Sequence, residues 1–263
     1  DINKLLTKNG KWILELSYFP LLLQNLTYDQ ICHEHVTYYT LTTFENIIKK
    51  NGLKILDFNL NNINGGSIEI ICSKKNSKHS PNKEKINIQK NFEKNINLES
   101  YQNFNRRVSN IKKTLNLFLE KNKGNVIGYG ASTKGNIVLN HCGIDSKKLK
   151  YICDANPYKF GRFTPGSNIK IISKQKMRIL KPKFLLVLIW SFRKEVILQE
   201  EKFIKNGDSY ESKSYTEVSE STGMVETIDR QYLPGMDKIL SINEHSRFRR
   251  HLPEPSWIRW CSS

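Results

Sequence analysis

The stretch Asn125-Val126-Ile127-Gly128-Tyr129-Gly130-Ala131-Ser132-Thr133-Lys134-Gly135-Asn136 decides the fold. An apolar, β-prone run gives way to glycines, and then to residues that tolerate a helix. A strand over 125–129, a glycine-rich turn and a helix from about 134 to 140 follow from that order. Downstream, 151–153 reads as a strand that ends in Asp154, with further strands at 169–172 and 184–190. Residues 191–205 read as a helix with Val196, Ile197 and Phe203 on its apolar side. Apolar strands alternating with helices predict a parallel sheet covered by helices, an α/β fold.

Upstream, residues 74–123 carry 13 basic against 4 acidic side chains. Pro81 opens a long helical stretch there. Tyr101, Phe104, Val108, Ile111, Leu115 and Phe118 recur at alternating spacings of three and four, a narrow apolar seam that lies against another element. The stretch reads as a helical bridge between two lobes. The first lobe starts with a helix closing at Leu5-Leu6 and turn chemistry at Gly10. A strand over 12–16 and a helix over 18–26, begun at Phe19-Pro20, come next. A polar loop over 27–39 leads to a helix capped by Thr42 or Thr43, with Glu45 in its first turn, that stops at Asn51-Gly52. Strands over 53–60 and 67–72, joined through Gly65-Gly66, predict a hairpin.

The formal charge of +17 invites a nucleic-acid reading. The excess is the wrong kind. Residues 1–207 hold 30 Lys but only 5 Arg, dispersed among 26 Asn. Base readers lean on Arg and on aromatics set within a basic run. A compositional bias explains the lysines, and no nucleic-acid partner is expected. Residues 208–263 hold 7 basic and 9 acidic side chains, so the composition breaks there and the tail stays unassigned. No apolar run approaches the roughly 18 residues of a membrane span. Five cysteines without CxxC spacing suggest neither a disulfide framework nor a local zinc site. A reducing cytoplasm is the expected home.

Two segments could carry chemistry. In Asp29-Gln30-Ile31-Cys32-His33-Glu34-His35 two imidazoles flank a carboxylate. Histidine supplies a base near neutral pH, and a neighbouring carboxylate can orient it. A two-residue alternation of His with no further ligands is a poor metal set, and an exposed polar loop is the plain alternative. In the turn, backbone N–H groups at a helix start favour an anion, Lys134 adds charge, and Ser132 or Thr133 can donate. Asp154 lies about where a dinucleotide-binding fold puts its ribose acid. A tight structural turn explains the same glycines.

Together these motifs resemble one family. The order Tyr28-Asp29-Gln30-Ile31-Cys32-His33-Glu34-His35, Gly65-Gly66-Ser67, the 128–136 turn, Asp154-Ala155-Asn156-Pro157-Tyr158-Lys159-Phe160-Gly161, Pro165-Gly166-Ser167 and Leu188-Ile189-Trp190-Ser191-Phe192 is similar to the C-terminal part of S-adenosylmethionine-dependent C-methyltransferases of nucleotide-linked deoxysugars. The resemblance implies that 1–73 ends a class I methyltransferase sheet, 74–123 bridges, and 124–207 is a Rossmann-like parallel α/β domain. It places the main cofactor loop and a zinc-binding domain upstream of Asp1, so the chain is expected to be a fragment, inactive alone. The partner it implies is a nucleotide-linked keto-deoxysugar. His35 would be the base, Glu34 its orienter or a hydroxyl ligand, and His33 a supporting group. Tyr28, Gly130, Ser132, Thr133, Lys134, Asn136 and Asp154 would bind substrate. Relatives often carry Tyr where Cys32 stands, and a thiol steadies an enolate oxygen poorly. The rival expectations are a nucleotide-sugar binding module without catalysis and an NAD-dependent oxidoreductase.

Overall fold

The computed structural model describes residues 1–205 and 239–241. After a short helix α1 (Ile2–Leu5), the first lobe forms a three-stranded antiparallel sheet. Its strands are β1 (Lys11–Ser17), β2 (Leu53–Asn61) and β3 (Ser67–Lys74), in the order β1-β3-β2. Trp12 pairs with Cys72 and Leu16 with Ile68, so the hairpin's second strand takes the centre. Helix α2 (Phe19–Asn25) starts with Pro20 in its first turn, as expected. Helix α3 (Leu41–Lys50) is capped by Thr40, not by Thr42 or Thr43. The Thr40 side chain accepts the Thr43 N–H, and the Thr43 hydroxyl reaches back in a reciprocal box. Leu41, Phe44, Ile48, Leu53, Ile55, Phe58, Ile68, Ile70 and Cys72 fill this lobe's core.

The expected single helical stretch is two helices, α4 (Lys83–Glu93) and α5 (Leu98–Lys121). They join different cores. Ile86 of α4 enters the first-lobe core. Phe104, Val108, Ile111 and Leu115 of α5 pack in the second. Tyr101 stays exposed, and Leu119 is the buried residue at the seam's end, where Phe118 lies half-buried.

The second lobe holds β4 (Val126–Tyr129), β5 (Tyr151–Asp154), β6 (Lys170–Ser173), β7 (Phe184–Val187) and β8 (Ile239–Ser241), all parallel, in the order β6-β5-β4-β7-β8. Three residues of the unassigned tail thus form an edge strand of this sheet; the rest of the tail lies outside the described residues. Strand β7 ends three residues before the expected 190, and Trp190 stands in a 3-10 turn. Helix α6 (Thr133–Cys142) connects β4 to β5. Helix α7 (Lys174–Leu180), not expected from the sequence, follows β6. Helix α8 (Arg193–Lys205) packs Val196 and Ile197 on the sheet.

Alternation along the strands feeds both faces. Val126 and Leu186 face α5 and α6, whereas Ile127, Tyr129, Leu185 and Val187 face α7 and α8. Leu22 and Leu26, around α2, and Tyr28 belong to the second lobe's core although they precede the first lobe's hairpin. Each fully buried side chain of that size contributes about 1.5–3 kcal/mol, so the lobes share a substantial apolar interface.

Candidate functional site

Strand order reverses at β4. The chain moves to β5 and β6 on one side, then returns to β7 on the other. In open α/β sheets, ligands settle beyond the carboxyl ends of the strands at such a switch point. Here those ends carry Gly130 and Leu188–Trp190, and they meet the first lobe's residues 27–30 and 64–65.

The contacts there are specific. Trp190 Nε1–H donates to Asp29 Oδ2 at 2.7 Å. Asp29 is 2% exposed. Burial raises its carboxyl above the ordinary value, against the Trp190 bond and the nearby Lys134 charge, which lower it. The Tyr28 ring lies 5.3 Å from the His141 ring, and its hydroxyl is 3.8 Å from Cys142 Sγ. Burial drives the Tyr28 phenol far up, so it stays protonated. The Gln30 amide donates to Thr27 Oγ1 and to the Asn64 carbonyl, both at 2.9 Å. Lys134 Nζ reaches the same carbonyl at 3.4 Å.

The glycine turn is tied to the neighbouring strand ends. Gly130 N–H donates to the Cys153 carbonyl, and a Cβ on Gly130 would lie 2.6 Å from Ile189. A Cβ on Gly135 would lie 3.0 Å from Leu188. These glycines therefore permit close packing of strand, turn and helix. Ser132 caps α6 by accepting the Gly135 N–H at 3.0 Å. Asp154 accepts Ala131 N–H at 2.9 Å, Asn156 N–H at 2.8 Å and the Lys159 ammonium at 3.2 Å. Both its oxygens take part in closing the turn, a structural task that by itself accounts for an acid at this position. The N–H groups of Ser132, Thr133 and Lys134 make no hydrogen bond among the described residues. With the Lys134 ammonium they form a positive mouth at the head of α6. Asn136, one turn on, has a buried side-chain oxygen without a partner.

The histidine loop leaves this junction toward solvent. The His33 ring lies 4.0 Å from Glu34, and their side chains are 86% and 63% exposed. Glu34 makes no contact with His35 of the kind expected. His35 is half-buried, and its ring makes no hydrogen bond among the described residues; its N–H donates to the Cys32 carbonyl. Tyr38 hydroxyl donates to the Gln30 carbonyl at 3.3 Å, and burial together with Cys32 raises its phenol. So the structure separates Tyr28 from Lys134: the phenol packs on His141 and Cys142 in the last turn of α6, whereas Lys134 stands in its first turn, with Ser132, Thr133 and Asp154 at the turn beside it. His33, Glu34 and His35 stand on the loop above. Asp29, Gly65 and Trp190, to which the sequence motifs assigned no role, also meet at this junction. The signal available was a buried-type Trp just past an apolar strand and an Asp beside Tyr28.

Among the described residues no group of three or more His, Cys, Asp or Glu could hold a metal, and no helix is long and apolar enough to cross a membrane.

A two-lobed chain with a parallel sheet whose switch point faces a His-Glu-His loop defines a class. The chain belongs to the C-methyltransferase family, matching the model of its C-terminal domain over residues 62–210. That match covers the second lobe and both connecting helices, and starts after the histidine loop. A curated relative is the C-methyltransferase NovU of Streptomyces niveus, 27% identical over 214 residues. The aligned part is 80% of this chain and 51% of that protein, so the chain spans about half the length of the curated relative it matches.

Proposed function

We propose that the chain is the base-bearing and substrate-binding part of an S-adenosylmethionine-dependent C-methyltransferase that acts on a nucleotide-linked keto-deoxysugar. The observation that carries this reading is the junction itself. The stem of the His35 loop, residues 27–30, packs on the switch point beside Lys134 and the open end of α6. The positive mouth suits the diphosphate of a nucleotide sugar. His35, reached from the loop above, takes the acidic proton from the carbon next to the keto group, leaving an enolate as nucleophile. S-adenosylmethionine supplies the electrophilic methyl group when bound. The described residues offer no cradle for it, since Gly65 and Gly66 face Trp190, Thr27, Leu21 and Asn25, and none of these residues is assigned to it. We place the protein in the cytoplasm.

The test is methyl transfer to a nucleotide-linked keto-deoxysugar by a full-length enzyme that carries this chain, with and without His35→Ala. Turnover should vanish while nucleotide-sugar binding persists; turnover near the original rate would refute the role. A second reading, a nucleotide-sugar binding module without catalysis, draws on the absence of an orienting partner for the His35 ring. Binding of the sugar nucleotide with no methyl transfer under any donor concentration would favour it.

A further inference from the structure

The loop that carries His33, Glu34 and His35 has little of its own to hold it. Its backbone bonds are local, Cys32 N–H to Gln30 and His35 N–H to Cys32. Ile31 and Val36 are 51% and 91% exposed. Its position is inherited from its two ends: Tyr39, whose carbonyl accepts the Phe19 N–H, and the stem at residues 27–30, which faces the second lobe. That stem contains an unusual group: Asp29 is almost wholly buried, yet no salt bridge joins it to a cation among the described residues; its side chain bonds to the indole N–H of Trp190 and to its own backbone N–H, with the Lys134 charge nearby. A carboxylate buried with so little compensation is costly. Trp190, in turn, stands just past the end of β7 at the switch point, seated over Gly65. At φ +92° Gly65 presents no side chain, and a Cβ there would lie 2.2 Å from the indole and 2.6 Å from Thr27. Three segments distant in sequence therefore interlock around one indole.

We infer that Asp29 and Trp190 are a pair of positioning residues that register the histidine loop against the ligand mouth of the second lobe. The inference rests on the proposed role of His35 for its effect on turnover, but not for its effect on where the loop stands. Placement is read by the ring C–H resonances of His33 and His35 and by the indole N–H resonance of Trp190, assigned with Trp190→Phe. His79 is the control, because its ring bonds to the Asn9 carbonyl in the far part of the first lobe.

In Asp29→Ala and in Trp190→Phe the His33 and His35 signals should shift while those of His79 stay. Asp29→Asn should restore them, since its amide oxygen still accepts the indole N–H. In the active enzyme, Asp29→Ala should lower kcat on the order of tenfold to a hundredfold with KM for the nucleotide sugar unchanged. Unmoved His33 and His35 signals in either folded variant would overturn the inference. So would equal shifts at His79, or an Asp29→Asn protein indistinguishable from Asp29→Ala. If Asp29→Ala does not fold, Trp190→Phe against Asp29→Asn decides by the same signals. Loss of the proposed enzymatic role alone would remove the kinetic arm and leave the resonances to judge the placement.

Discussion

Gly65→Ala isolates the most demanding contact at the lobe junction. The substitution meets two penalties. A side chain at φ +92° is strained, by about 1–3 kcal/mol. The new Cβ would also stand 2.2 Å from the Trp190 ring and 2.6 Å from Thr27, and overpacking of that kind costs about 1–3 kcal/mol. Against this, the stiffer unfolded chain returns about 0.4–1 kcal/mol. A net loss of roughly 1–5.5 kcal/mol is expected from these opposing effects. With a urea slope of about 2 kcal/mol per molar, the unfolding midpoint falls by about 0.5–3 M. Gly143→Ala is the control. It too sits at positive φ, +66°, but nothing lies within 4 Å of its Cβ. It bears the conformational cost alone, about 1–2 kcal/mol. The difference between the two variants measures the Trp190 overlap. Gly65→Ala should also move tryptophan emission, because the indole must leave Asp29, whereas Gly143→Ala should not. If Gly65→Ala is no more destabilising than Gly143→Ala and leaves the emission unchanged, Trp190 does not pack over Gly65 and the interlock is refuted.

Glu93 of α4 is buried and accepts from Tyr18 hydroxyl at 2.6 Å, Leu41 N–H at 2.6 Å, Thr42 N–H at 2.9 Å and the Thr42 hydroxyl. Glu93→Ala strands these donors and should cost about 3 kcal/mol or more in urea unfolding, with Glu93→Gln costing less; equal small losses would contradict the network. Burial pushes the Cys72 and Cys153 thiols up to about 12 and raises that of Cys142, while Cys32 is half-exposed. Iodoacetamide at pH 8 should therefore label Cys32 first among these four, and mass spectrometry showing equal labelling of the native protein would contradict the buried placement. Burial alone would raise the Glu45 carboxyl, but Lys90 and Lys49 outweigh it and hold it below its usual value. Its contribution is present above the unfolded value and disappears as pH falls through the lower folded one. Glu45→Gln should then destabilise at pH 7 and make no difference well below the folded value; a deficit that persists in acid would rule this out.

The sequence was legible wherever a physical requirement is local. The 125–136 run had to be strand, turn and helix, because apolar β-prone residues precede glycines and a Ser that can cap. The 53–72 hairpin followed from two apolar runs around a Gly pair. The cap of α3 lies two or three residues before the one expected, because three threonines within four residues offer equivalent hydroxyls and only backbone geometry selects Thr40. Asp154 was placed at the end of its strand, and there it closes the turn. The spacing that would serve a ribose serves equally to accept Ala131 N–H, and spacing carries no information on which hydrogen bond forms. Glu34 looked like the partner of His35, since neighbours in sequence seem close. On this loop it turns toward His33 and solvent instead.

Composition, periodicity and turn chemistry by themselves determined an α/β chain with a parallel sheet, a hairpin lobe and a bridge rich in lysine. They did so because burial pattern, capping and glycine conformation act over a few residues. Only the tertiary structure decided that α4 and α5 serve different cores, that Leu22, Leu26 and Tyr28 complete the second lobe, and that Asp29, Gly65 and Trp190 close on one another. Those pairings span up to 161 residues of chain. They are set by which apolar faces can be buried together, a property of the whole packed molecule that no local stretch contains.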